Sequence, residues 1–179
     1  ESVGVWGVGG VGTHIVQLAR LVGAAPIIAI DINPVVRDRA LELGADYAMD
    51  SRDPDLKAKV AKITGGKNLD VAFDAVGLKV TFEQALECLT IGGRLVGVGM
   101  SAECPTVGPT ALFGFTKKQV LGHLGYQNTD IEILARLVSM GRLDLSRSIS
   151  RVIPLSDIKE GIEMLERAEG NPIRILVQP

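Results

Sequence analysis

The chain has 179 residues, 46% of them apolar, enough for one domain with an appendage and a core that needs neither disulfides nor metal. Lys and Arg (19) nearly balance Asp and Glu (21), which leaves no basic excess to carry a nucleic acid. No apolar run reaches the ~18 residues of a membrane span, and the opening residues read as strand rather than as a signal peptide. A soluble, cytoplasmic protein is expected.

Val3 and Val5 alternate with smaller residues, and Gly7, Gly9 and Gly12 then follow in the spacing GxGxxG. Val11, Ile15, Leu18 and Val22 recur at helical spacing, which predicts the buried face of a first helix. The order is strand, glycine turn, helix. The first glycine allows a tight turn, the second lets a pyrophosphate approach the backbone, and the third lets the helix sit close to the strand. The phosphate would meet free N–H groups at the positive end of the helix. A second strand, Ile27 to Ile30, ends in Asp31, nineteen residues after Gly12. A carboxylate at that distance suits a ribose 2′-hydroxyl, and it raises the motif above a plain βαβ unit without ligand. NAD is the cofactor expected.

Pro34 to Leu43 reads as a helix stopped by Gly44, and Tyr47 to Met49 as a short strand. Asp53 is read as the N-cap of a helix whose buried stripe is Leu56, Val60 and Ile63. Asp70 to Gly77 is a strand ending in a small-residue turn. Thr81 and Gln84 are read as a capping box for a helix reaching Leu89. Gly92-Gly93 is read as a turn before a strand from Arg94 to Val98, and residues 100–115 as a long connection. Gln119 to Leu124 makes a sixth strand. Alternating strands and helices predict an α/β, doubly wound, parallel six-stranded sheet. Helix 130–140, strand 149–153, helix 156–168 (Ile158, Ile162 and Leu165 inward) and strand 173–177 complete the chain. The expected division is 1–126 and 127–179.

Taken together, Val3 to Gly12, Ile30 to Asn33, Leu43 to Asp46, Phe73 to Gly77, Gly92 to Val96 and Ile173 to Leu176 resemble the zinc-dependent medium-chain alcohol dehydrogenases. Their order and spacing carry the likeness, which covers nearly the whole chain and corresponds to the family's C-terminal, nucleotide-binding half with its Rossmann fold. The resemblance implies that Gly10 and Val11 offer backbone to the pyrophosphate and that Asp31 holds the adenosine ribose. It implies that Val76 lies against the cofactor, that Val98 and Gly99 line the nicotinamide side, and that Arg174 meets the pyrophosphate, as a guanidinium can do bidentately. Leu78 stands where some relatives place a basic residue. Val36 stands where relatives often have Lys or Arg five positions after the ribose acid. Arg37 follows it, and is read either as taking over that contact or as a surface helix charge.

The family's zinc ligands and proton relay lie in its other half, and no catalytic residue is assigned here. His14 is read as packed or hydrogen-bonded, and His123 as ending the sixth strand near the nicotinamide. Cys88 is read as core, and nothing marks Cys104 as an activated thiolate. A zinc site needs at least three protein ligands, so zinc is expected only in the missing half and the fragment alone is expected to be inactive. The intact enzyme would pass hydride from an alcohol to NAD. The alternatives are a zinc-free NADPH quinone oxidoreductase of the same superfamily, which Asp31 disfavours, and a non-catalytic NAD-sensing module. The resemblance also implies a homodimer through the sixth-strand edge.

Overall fold

The computed structural model describes residues 1–167 and 170–179. Two compact units are present, Glu1–Gly125 and Tyr126–Pro179.

The first unit alternates β1 (Val3–Trp6), α1 (Gly12–Leu21), β2 (Ile27–Ile30), α2 (Pro34–Glu42), β3 (Tyr47–Met49), α3 (Leu56–Ile63), β4 (Leu69–Asp74), α4 (Lys79–Glu87), β5 (Leu89–Gly97), α5 (Thr110–Thr116) and β6 (Gln119–Gly122). Among the described residues the six strands make one parallel sheet in the order β3-β2-β1-β4-β5-β6. The central β1 and β2 are buried throughout, as strands covered on both faces must be. Their side chains sort by the strand's period of two. Val3, Val5, Ile27 and Ala29 pack with Val16 and Ala19 of α1 and Val36 and Ala40 of α2. Trp6, Ile28 and Ile30 pack on the other face with Leu56 and Val60 of α3 and Ala85 and Leu86 of α4. Strand order reverses between β1 and β4, and ligands of such sheets bind beyond the carboxyl ends there.

The predicted face of α1 is corrected. Val11 and Val22 are 51% and 80% exposed, and the buried residues are Gly12, Thr13, Val16 and Ala19. The packed stripe is turned one residue from the most apolar one. The reason is steric: a Cβ on Gly12 would run into the Gly7 carbonyl, so the helix approaches β1 with small residues.

Several boundaries also shift. Helix α3 starts at Leu56 with Asp55 at its N-cap, while Asp53 accepts a bond from Asp55 N at 2.9 Å in a preceding turn. Thr81 caps nothing, because its hydroxyl turns inward to Asp74 and α4 opens at Lys79 without a side-chain cap. Strand β5 begins at Leu89, with Gly92 (φ +77°) inside it at a register shift against β4, so Gly92-Gly93 is a bulge and not a turn. Residues 100–115 include most of α5. Strand β6 ends at Gly122, leaving His123 and Leu124 outside it.

The second unit holds α6 (Asn128–Ser139), β7 (Ile149–Pro154), α7 (Ile158–Glu166) and β8 (Arg174–Gln178), with β7 and β8 paired in parallel. Asp130 reaches back to accept from Gln127 N at 2.8 Å and closes the start of α6. Residues 155–157 form a 3₁₀ turn rather than the first turn of α7. Ile158, Ile162 and Leu165 are 42%, 52% and 45% exposed, against the inward stripe expected of them. The close contact of α7 is made by Gly161, where a Cβ would stand 2.5 Å from Ile153 Cδ1. The predicted helix end at Ala168 lies outside the described residues.

The corrected face of α1 gives a paired test. Val16→Ala removes two methyl groups from a fully buried site and is expected to cost about 2 kcal/mol. Val22→Ala, at an exposed site, is expected to stay under about 0.5 kcal/mol. Urea unfolding of both variants measures the difference, and equal costs would contradict the packing described.

Candidate cofactor site

Three loops converge beyond the carboxyl ends of β1, β4 and β5. In the first, Gly7 takes φ +80°, and its N–H donates to Ile30 O at 2.8 Å. A Cβ there would collide with Val76 of the β4 loop. Thr13 ties the turn to the helix, its hydroxyl donating to Val8 O at 2.7 Å. Helix α1 starts with no side-chain cap and no acidic residue in its own first turn, so its positive end is not neutralised from within the helix. A Cβ added to Gly9 would meet nothing within 4 Å.

Asp31 stands just past β2. Its Oδ2 accepts from Val8 N at 3.0 Å and its Oδ1 from Asn33 N at 2.9 Å. The carboxylate is thereby locked beside the glycine turn. Asn33 in turn caps α2 by accepting from Val35 N at 3.0 Å. Arg37 is not a loose surface charge: its side chain is 20% exposed, its Nη1 donates to Asp31 O at 2.7 Å, and it pairs with Asp50 at 3.3 Å.

The second and third loops are pinned by one residue that the sequence reading passed over. Asp74, at the end of β4, is fully buried. Its Oδ1 accepts from Val76 N and Gly77 N, both at 3.1 Å, and from the Thr81 hydroxyl at 3.0 Å. Its main-chain carbonyl accepts from Val98 N at 2.9 Å and Gly99 N at 2.8 Å. Its Oδ2 has no hydrogen-bond partner among the described residues. Gly77 (φ +84°) then passes so close to Gly99 that a Cβ would lie 2.5 Å from the Gly99 carbonyl carbon. The available signal was an acid closing an apolar strand, with Thr seven residues on.

Gly7, Gly9, Gly10, Val11, Gly12, Asp31, Val76, Val98 and Gly99 therefore lie on the β1, β2, β4 and β5 ends of one sheet edge, with Arg37 beneath Asp31. Arg174 opens β8 in the second unit. A cleft of about 810 Å³, lined in part by Lys57, Leu89, Phe113 and Lys118, opens at the opposite, amino-terminal edge and includes none of these residues.

A family model described as zinc-binding dehydrogenase matches residues 10–140. The chain belongs to that family. It is 30% identical over 180 residues to (R,R)-butanediol dehydrogenase of Bacillus subtilis (strain 168), covering 100% of this chain and 51% of that protein. It is 36% identical over 177 residues to the NDMA-dependent alcohol dehydrogenase of Amycolatopsis methanolica, covering 95% and 47%. A zinc-binding dehydrogenase from Sinorhizobium meliloti 1021, solved bound to NADP, superposes with a TM-score of 0.90 at 27% identity, over 99% of this chain and 52% of that one. The chain thus spans about half the length of the curated relatives it matches.

Among the described residues no group of three or more His, Cys, Asp or Glu side chains is placed to hold a metal ion. His14 Nδ1 lies 3.0 Å from Gln17 Oε1 on α1, and His123 is exposed beyond β6. Cys88 is buried, and burial pushes its thiol up to about 11, so it is protonated and inert at neutral pH. Cys104 is exposed. No helix among the described residues is long and apolar enough to cross a membrane.

The pin at Asp74 yields a stability prediction. Thr81→Val deletes one bond to a buried carboxylate and is expected to cost about 2 kcal/mol. Asp74→Ala strands the Val76 and Gly77 N–H groups, while the Thr81 hydroxyl keeps the Leu78 carbonyl at 3.0 Å, and is expected to cost roughly 3 kcal/mol or more. Denaturant unfolding measures both, and an Asp74→Ala variant as stable as its parent would refute the pin.

Proposed function

We propose that this chain is the NAD-binding half of a zinc-type alcohol dehydrogenase, the intact enzyme transferring hydride from an alcohol to NAD. The observation that carries the reading is the uncapped start of α1, facing open space at Gly9 and flanked by the fixed carboxylate of Asp31. Backbone N–H groups at a helix start take a phosphate without any side chain. The backbone of Gly9, Gly10 and Val11 receives the pyrophosphate. Each Asp31 oxygen spends one lone pair on a backbone N–H and keeps another for a ribose hydroxyl. Val76, Val98 and Gly99 form the wall on the nicotinamide side. The bound nicotinamide supplies the hydride acceptor, while these residues bind and orient it.

The catalytic zinc and the alcohol or aldehyde pocket belong to residues outside these 179, and residues 127–179 pack toward them. By this reading the chain binds NAD and turns nothing over by itself. Strand β6 is the free edge of the sheet, with Val120 and Leu121 39% and 44% exposed, and such an edge templates a second copy across a two-fold axis.

Calorimetric titration with NAD and NADP tests the cofactor reading. NAD is expected to bind more tightly, because a carboxylate repels a 2′-phosphate, and Asp31→Ala should narrow the difference. Gly9→Val should weaken NAD at least about tenfold, with its melting temperature held, since the new side chain enters open space. Normal binding by a folded Gly9→Val variant overturns the phosphate placement. With NAD, zinc and a panel of alcohols, absorbance should show no reduced cofactor above buffer; turnover abolished by a chelator would reveal a metal site on this chain. Sedimentation of the same sample should give a dimer, and a monomer at every concentration would refute the edge pairing.

A further inference from the structure

Two arginines flank the main chain that carries Asp31, and one carboxylate holds both. Arg52, in the turn after β3, forks onto Asp50, with Nε 3.0 Å from Oδ1 and Nη2 2.7 Å from Oδ2. Arg37, from α2, puts Nη1 3.3 Å from the same Oδ2. Each guanidinium also donates to a carbonyl of the ribose-acid loop, Arg37 to Asp31 O at 2.7 Å and Arg52 to Ile32 O at 3.2 Å. The fork from Arg52, with Arg37 adding to it, holds the Asp50 carboxyl well below the usual carboxylate range, so it stays ionised at any working pH.

Resting on the reading that Asp31 holds the adenosine ribose, we propose that Asp50 is a specificity residue, which keeps Arg37 and Arg52 from serving a ribose 2′-phosphate and so disfavours the phosphorylated form of the cofactor. Guanidinium groups are the side chains best matched to phosphate oxygens. Two of them, bonded to the carbonyls of Asp31 and Ile32, are an arrangement that would suit a 2′-phosphate. Asp50 occupies two donors of Arg52, pairs with Nη1 of Arg37, and offsets the charge of both. Discrimination then has two parts. Asp31 repels the phosphate directly, and Asp50 removes the cations that would reward it.

A structural pin would behave differently. Losing a pin loosens the loop and weakens NAD and NADP alike. Releasing two cations strengthens the 2′-phosphorylated form alone, so the ratio of affinities separates the two roles.

The test titrates NAD and NADP into the parent chain and its variants at one fixed salt concentration, with a melting curve for each protein. Asp50→Asn is expected to raise NADP affinity relative to NAD about tenfold, the scale of one charge-assisted hydrogen bond. Asp50→Glu should keep the parent ratio. Adding Arg37→Gln to Asp50→Asn should cancel most of the gain, a coupling a double-mutant cycle reads directly. Arg52 is 70% exposed, so Arg52→Gln should fold even if Asp50→Asn does not. With one cation gone and Asp50 still charged, its ratio should move the other way, about threefold toward NAD. An unchanged ratio in whichever of these two variants folds and binds NAD overturns the proposal, as does equal weakening of both cofactors. Failure of the parent chain to bind either dinucleotide overturns the Asp31 reading, and this inference falls with it.

Discussion

The candidate site depends on a single buried carboxylate more than on any glycine. Asp74 closes β4 and is reached by donors from its own loop, from α4 and from the loop after β5. A buried carboxylate is costly unless its lone pairs are met. Here Oδ1 takes three donors and the main-chain carbonyl two more, while Oδ2 has no partner among the described residues. The result is that Val76-Gly77 and Val98-Gly99 cannot drift apart, and Gly77 and Gly99 are pressed to contact. Gly7 then packs on Val76, which couples the glycine turn of β1 to the same anchor. The geometry at three strand ends is thus one connected structure.

The regular elements of the first unit were legible because burial writes itself into composition. Parallel strands covered on both faces are short apolar runs, and Val3 to Trp6, Ile27 to Ile30 and Leu69 to Asp74 stand out for that reason. The glycine turn and Asp31 were legible because a spacing and a distance describe them. What failed was the reading of Thr81 and Asp53 as helix caps from local chemistry alone. Thr81 fits a helix start, yet a buried carboxylate nearby is the stronger acceptor. Asp53 fits an N-cap before Pro54, yet it closes a turn and pairs with Lys59. Helical periodicity identified α1 but chose its largest residues as the packed face, and the approach to β1 selects the smallest. Short α5 escaped because its seven residues lie within a Pro- and Gly-bearing stretch.

The charged residues around Asp31 show the same limit. Asp31, Arg37, Asp50 and Arg52 are spread over twenty-two positions, and no spacing rule links them. They meet because β2 and β3 are adjacent and in register, Ile30 opposite Met49, so the residues that follow each strand emerge side by side. The loop after β2 offers its carbonyls outward, and the turn after β3 returns a guanidinium to cap one. Arg37 approaches from α2 to cap the other. Sheet topology, not sequence distance, makes this cluster.

The three glycines of the first turn differ in what the fold asks of them. Gly7 is required by its own backbone, since φ of +80° strains any residue with a side chain. Gly12 is required by its neighbour, because a Cβ there would occupy the place of the Gly7 carbonyl. Neither requirement involves a ligand. Gly9 is different: its φ lies outside the left-handed region, and a Cβ would project into empty space. Packing gives no reason for a missing side chain at Gly9, and local flexibility alone would favour a residue that loses less entropy on folding. The position is explained once something outside the chain must come within contact of that backbone. Beside an uncapped helix start, an anion is the ligand that the surrounding dipoles favour. Gly7 and Gly12 thus belong to the fold, and Gly9 is the glycine of the motif that the proposed cofactor reading accounts for, by leaving room for a phosphate.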